Sequence, residues 1–155
     1  MKNVWYYEYP IGRLGIVAEG GAVCLIAFEG DKRFLGVLPQ ENEVVRKASI
    51  QLAEYFSGKR KTFTVPIFLK GTGFQKTVWN VLAEIPIGET RSYKDIAIQA
   101  GSPKGFRAVG MANNKNPIMI IIPCHRVLGA DGSLTGYAGG LDAKKYLLKL
   151  EEKYA

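Results

Sequence analysis

Cysteine and histidine are scarce in this chain of 155 residues, which has two of the first and one of the second. Two cysteines supply no disulfide framework, and with a single histidine they fill no four-ligand zinc site without carboxylates. Long hydrophobic runs are missing as well. The longest aliphatic stretch, Ile118 to Ile122, falls far short of the roughly 20 residues that cross a bilayer. Residues Met1 to Glu8 have neither the apolar core nor the small-residue cleavage site of a secretory signal. A cytoplasmic protein with reduced thiols is therefore expected. Acidic side chains are the minority, 14 against 21 Lys and Arg, for a net charge of +7. Such an excess fits a polyanionic partner or simply a soluble basic surface. What is present, 47% apolar and 23% charged residues, is a globular composition for one ordinary domain or two small ones.

The first thirty residues read as strands. Val4 to Tyr9 is rich in aromatics and breaks at Pro10, and Leu14 to Glu19 and Ala22 to Phe28 flank Gly20-Gly21, a spacing suited to a primed hairpin turn. An antiparallel sheet of about three strands follows. Between Glu41 and Ser57 the apolar period becomes helical, with Gly58 at the C-terminal cap position. The extended-looking Phe63 to Leu69 then runs off a small α/β unit, and a domain boundary is placed between residues 70 and 71. Beyond it the chain is mainly helical. Thr72 to Gln75 and Ser92 to Asp95 both resemble capping boxes, and Ser102-Pro103 is the expected start of a third helix running to Lys115. Two short helices joined across Gly101 fit a helix-turn-helix, in a winged-helix-like setting. Ile118 to Ile122 is expected to be a buried extended segment, and Asp142 the cap of a final helix.

The only histidine, His125, follows one of the two cysteines, Cys124. A thiolate nucleophile beside a base that takes its proton is the chemistry this pairing supports, and an acid from the final helix, Glu151 or Glu152, would orient the base. On an extended backbone the two side chains would diverge, so the pair must bend or act through a water. Cys24, within an apolar strand, is expected to be inert. Basic residues concentrate between Arg91 and Arg126, where six of them face a single acid, Asp95, and supply +5 of the +7. Within that window Gly105, Ala108, Gly110 and Ala112 surround Arg107. Small residues allow close approach to a partner, and one basic side chain emerging from them suits minor-groove insertion.

The segment Ile122-Pro123-Cys124-His125-Arg126-Val127 resembles the signature of the 6-O-alkylguanine-DNA alkyltransferases. Gly73-Phe74-Gln75, Ile87-Gly88-Glu89, Ser92-Tyr93, Arg107 to Gly110, Asn116-Pro117 and Tyr137 to Leu141 follow that family's order and spacing. The likeness covers about residues 72 to 152, and the N-terminal half matches more loosely. It implies that Cys124 takes an alkyl group from the oxygen of a damaged guanine flipped out of the duplex, once per molecule and with no cofactor. Arg107 would fill the vacated place in the stack, among DNA contacts that include Ser92, Gly105, Ala108, Gly110 and Arg126. Tyr93 would help rotate the flanking phosphate and hydrogen-bond the base. His125 would deprotonate Cys124 through a water, Glu151 would orient His125, and Asn116 would tie down the turn before them. The carbonyl of Cys124 and the amide of Val127 would read the exocyclic amine, with Tyr137 and the amide of Ala138 beside the oxygen. The implied partner is double-stranded DNA, and the implied state a monomer.

Several positions depart from the pattern. Met119 stands where some relatives carry proline, which bears on pocket width. Phe106 is larger than the small residue usual before the arginine, and its side chain has the choice of DNA or the interior. Some relatives carry an N-terminal zinc site, which one cysteine and no histidine before residue 70 make implausible here. Two other classes compete. A sensor that grips damaged bases without accepting the alkyl group would lack Cys124. A thiol hydrolase using Cys124, His125 and Glu151 would have no use for a basic helix-turn-helix.

Overall fold

The computed structural model describes residues 2–137 and 139–155. The chain forms two compact units, Met1–Leu69 and Lys70–Ala155. In the first, β1 (Lys2–Tyr9), β2 (Gly12–Glu19) and β3 (Ala22–Phe28) form an antiparallel meander. Gly20 and Gly21 both have positive φ, 60° and 81°, as the primed turn of a two-residue hairpin requires. The sheet is mixed, however, because a two-residue strand, β4 (Leu38–Pro39), pairs parallel with β1 at the edge, giving the order β3-β2-β1-β4. Two residues carry no alternation to read, and Pro39 is tolerated only because it lies on an edge.

Helix α1 (Glu43–Phe56) is capped by the Asn42 side chain, which accepts from the Val45 amide. Its inner stripe of Val45, Ala48, Leu52 and Tyr55 is buried, and it ends at Gly58, whose φ is 78°. The sheet core gathers Val4, Val17, Leu25, Ala27 and Phe34, with Cys24 half-buried against it. Gly15 lies under two rings of this unit. A Cβ there would stand 2.6 Å from Phe34 and 2.8 Å from Tyr6. Gly15→Ala should therefore cost about 1–3 kcal/mol by overpacking, read as a lower urea midpoint, and an unchanged midpoint would show that the rings yield freely.

The second unit holds α2 (Gly73–Ala83), α3 (Tyr93–Gln99), α4 (Phe106–Asn114) and α5 (Leu141–Tyr154). Both expected capping boxes are present, Thr72 with Gln75 and Ser92 with Asp95. The Trp79 indole of α2 donates to the Ala112 carbonyl at 2.9 Å and fixes α2 to α4. α3 and α4 form the helix-turn-helix pair, but α4 begins at Phe106, not at Pro103. The Gly105 amide donates to the Ser102 carbonyl at 2.8 Å, so residues 102–105 close a turn before the helix starts. Asp142 likewise lies in the first turn of α5 and does not cap it, since the N-cap is Gly140. A small parallel pair, β5 (Arg91–Ser92) with β6 (Val127–Leu128), joins the entrance of α3 to the segment just after Cys124. That pairing sets the helix-turn-helix in register with the cysteine.

Candidate active site

The segment from Asn116 to Arg126 is not extended. Asn116, buried at the end of α4, holds both ends of a tight loop. Its Oδ1 accepts from the Ile118 amide at 3.0 Å and its Nδ2 donates to the Ile122 carbonyl at 2.7 Å. Within the loop the Ile122 amide donates to the Ile118 carbonyl at 2.9 Å. Ile120 has a φ of 72° and is the only non-glycine residue with positive φ among those described. A β-branched side chain in that region is strained, and it stays there because it is buried at 1% exposure between the clamped ends. Aliphatic content signalled burial correctly but said nothing of this side-chain clamp. Met119 is buried inside the same loop.

The chain then enters one 3-10 turn, Cys124–Arg126. This turn removes the strand divergence expected of neighbouring side chains and buries all three residues. His125 Nε2 lies 2.6 Å from Glu151 Oε2 of α5. Arg126 completes the cluster, its Nε 2.7 Å from Glu151 Oε1, another nitrogen 3.0 Å from Oε2, and a third donating to the Ile85 carbonyl at 2.6 Å. Burial pushes the Glu151 carboxyl up, but hydrogen bonds and charge from His125 and Arg126 outweigh it and hold the group at about 2, against the ordinary 4.5. A carboxylate only accepts, so His125 donates from Nε2 and keeps its lone pair on Nδ1. Nδ1 is buried and has no hydrogen-bond partner. Burial lowers the His125 pKa below the usual 6.5, with Glu151 opposing, so the imidazole is a neutral base.

Burial raises the Cys124 thiol above 9.0, while Asn116, the positive charge of Lys144 and Tyr137 pull it back. Thiol and base are thus both uncharged at rest, and the thiolate is favoured only by these few neighbours. Lys144 was not singled out in the sequence. It is fully buried, and its Nζ donates to the Val127 carbonyl at 2.7 Å and the Thr135 carbonyl at 3.0 Å. Burial lowers its pKa and Cys124 raises it. The usable signal was its position three before Leu147 and seven before Glu151, on the buried stripe of α5.

The structure brings Cys124, His125, Glu151, Asn116 and Tyr137 together and changes two expected roles. Arg126 is only 6% exposed and holds Glu151, so it is an internal cation and not a DNA contact. A basic residue in a basic window reads as surface until its buried counter-ion is seen. The Val127 amide donates to the Cys124 carbonyl, so its single proton is engaged, and an N–H would not in any case accept from an amine. Tyr93 opens α3 and its hydroxyl accepts from Thr135 at 3.0 Å. Arg107 and Ala108 are exposed on α4, and Phe106 is 51% exposed, so it does not pack inward. Gly110 lies under the Tyr93 ring, where a Cβ would stand 3.8 Å away. Ser92 caps α3, and Gly105 packs on Ser102, whose Oγ would be 2.5 Å from a Cβ. Ala138 lies outside the described residues. Among the described residues no group of three or more His, Cys, Asp or Glu is placed to hold a metal ion, and no helix is long and apolar enough to cross a membrane.

A buried thiol with a histidine–glutamate pair behind it, mounted on a helix-turn-helix unit, defines a nucleophilic-cysteine protein on a fold of nucleic-acid-binding type. Residues 73–153 match the family model of the 6-O-methylguanine DNA methyltransferase DNA-binding domain, and residues 4–69 match that of the ribonuclease-like domain of the same proteins. The chain belongs to the 6-O-methylguanine DNA methyltransferase family. It is 52% identical over 150 residues to a methylated-DNA–protein-cysteine methyltransferase of Methanosarcina barkeri, covering 94% of each chain. An inducible enzyme of the same name from Bacillus subtilis is 49% identical over 123 residues, with 79% of this chain and 69% of that one covered. The crystal structure of Mycobacterium tuberculosis OGT in complex with DNA superposes with a TM-score of 0.93 at 43% identity, covering 99% of this chain and 94% of that one.

Proposed function

We propose that this protein repairs DNA directly by moving a methyl or other alkyl group from the 6-oxygen of guanine, and from the 4-oxygen of thymine, onto Sγ of Cys124. The thiol proton passes through a water to Nδ1 of His125. The thiolate attacks the alkyl carbon in line, the carbon–oxygen bond breaks, and its electron pair stays on the base, which takes the proton back. The observation that carries this reading is the tautomer imposed by Glu151, which leaves a buried, unpartnered lone pair on Nδ1 of the residue that follows Cys124. The product is a thioether that mild reductants do not cleave, so each molecule acts once and needs no cofactor. Arg107 and the small face of α4 would enter the minor groove, Arg107 filling the place of the flipped base. Ser92, Gly105, Ala108 and Gly110 would let the backbone approach the phosphates, and Tyr93, Tyr137 and Ala138 would border the base. The protein would act as a monomer in the cytoplasm.

Incubation with a duplex containing 6-O-methylguanine, followed by intact-mass analysis and peptide mapping, tests the reading. One added methyl group on Cys124 is expected, and none would end it. Arg107→Ala should slow transfer from duplex DNA by roughly tenfold or more, while transfer from the free alkylated base, which needs no flipping, stays near the wild-type rate. Affinity for duplex should fall steeply between 50 and 200 mM salt, on the order of tenfold for every two phosphate contacts. A flat salt response would remove DNA from the account.

A further inference from the structure

Phe106, the first residue of α4, has no part in the reading above. By helical period it belongs to the inner row of that helix, three before Val109 and seven before Asn113, both buried. It is nevertheless 51% exposed, because the row runs past the edge of the core where the helix begins. Lys104, Arg107 and Ala108 beside it are exposed as well. The N-cap, Gly105, supplies no side-chain cap, and the first turn holds no acid. An aromatic ring thus projects from a helix end whose neighbours in sequence carry only positive charge. Leaving such a ring in water forgoes the gain of covering it. The flanking cations and the net charge of +7 favour a polyanion as its cover over a second copy of this chain.

We propose that the Phe106 ring enters the minor groove beside Arg107 and packs on the base pair flanking the flipped nucleotide, holding that step open while the base is out. This inference rests on the alkyl-transfer reading and goes beyond it. Neighbouring residues have Cα atoms about 3.8 Å apart, close to the ~3.4 Å between successive bases of a strand. With Arg107 in the vacated place, the side chain before it stands at the next level of the stack. Apolar side chains such as phenylalanine serve minor-groove proteins as wedges, which unstack a step and gain contact in return. A ring stacks on any base, so the contact imposes no sequence preference and suits a protein that meets damage in every context. The small residue usual at this position in the family is too short for that contact, so the wedge sets this chain apart.

The test measures single-turnover methyl transfer to the wild type, Phe106→Ala and Phe106→Trp, from a subsaturating duplex holding 6-O-methylguanine and from the free base. Phe106→Ala should slow transfer from duplex by roughly tenfold or more, the scale of one lost base–aromatic stack, with the free-base rate near the wild-type value. No charge is removed, so the salt dependence of its duplex affinity should keep the wild-type slope. Phe106→Trp keeps an aromatic wedge and should transfer near the wild-type rate, and its added indole emission should be quenched as it stacks in the methylated duplex. Equal loss on duplex and free base in Phe106→Ala would mark the ring as structural and overturn the proposal. Added emission in Phe106→Trp that saturating duplex leaves unchanged would overturn it too. So would a free protein that sediments as a dimer, becomes monomeric in Phe106→Ala and keeps its duplex rate, since the ring would then serve a second copy. A wild-type chain that takes no methyl from duplex fails differently, because it removes the alkyl-transfer reading itself.

Discussion

Glu151→Gln is expected to lower stability by about 3–5 kcal/mol, because it strands the Arg126 guanidinium without its counter-ion in the interior. Glu151 accepts three hydrogen bonds from His125 and Arg126, and no other acid lies on that side of α5 among the buried residues. Glutamine keeps the volume and can still accept from His125 Nε2, so the loss reports charge and not shape. Removing both partners, as Glu151→Gln with Arg126→Met, should cost less than the single change, since a missing buried pair is cheaper than a broken one. Alkyl transfer should slow by about 10² or more in the single variant, because His125 loses the charge that supports its protonated state during the reaction. Urea midpoints and single-turnover rates measure the two effects. A midpoint unchanged in Glu151→Gln would mean that Arg126 finds another partner.

Acid should unfold the protein in two stages. The His125 pKa is depressed in the folded state, so below its ordinary 6.5 the unfolded chain binds a proton that the native one refuses. Stability then falls as pH drops, by about 1.4 kcal/mol per pH unit for one proton. Glu151 is held at about 2 against an ordinary 4.5. Its contribution is complete above 4.5 and is lost as pH falls from there through about 2, which steepens the decline. Exposed carboxylates with lowered values, such as Asp95 beneath the Ser92 cap, add to the lower stage. Unfolding free energies between about pH 8 and 3 should show a plateau, a first slope and a steeper second one. Glu151→Gln should lose much of the second slope and keep the first, and a single uniform slope in the wild type would contradict the assignment.

Periodicity and punctuation made the regular elements legible. Gly20-Gly21 placed the hairpin and the two capping boxes placed α2 and α3, each a local signal sufficient for its own turn. The Cys124–His125 turn, which the structure buries against Glu151, stood out because His125 had no rival. Most of what escaped was long-range. Arg126 reads as a DNA contact and Lys144 goes unremarked in the sequence because their burial depends on Glu151, 25 residues from Arg126, and on backbone carbonyls of another segment. The Asn116 clamp turned an aliphatic run into a loop, which no strand propensity reveals. The late start of α4 has the same character, since Pro103 fits a first helical turn and a tight turn equally well.

The bond from the Trp79 indole to the Ala112 carbonyl has an optical consequence. The chain has two tryptophans, and Trp5, on β1, is 41% exposed and dispensable as a chromophore. With Trp5→Phe, one indole remains, 2% exposed and anchored to the helix that bears Arg107. Its emission then follows the environment of α4 alone. Stopped-flow fluorescence of that single-tryptophan protein would time the docking of the recognition helix apart from the slower appearance of methylated cysteine.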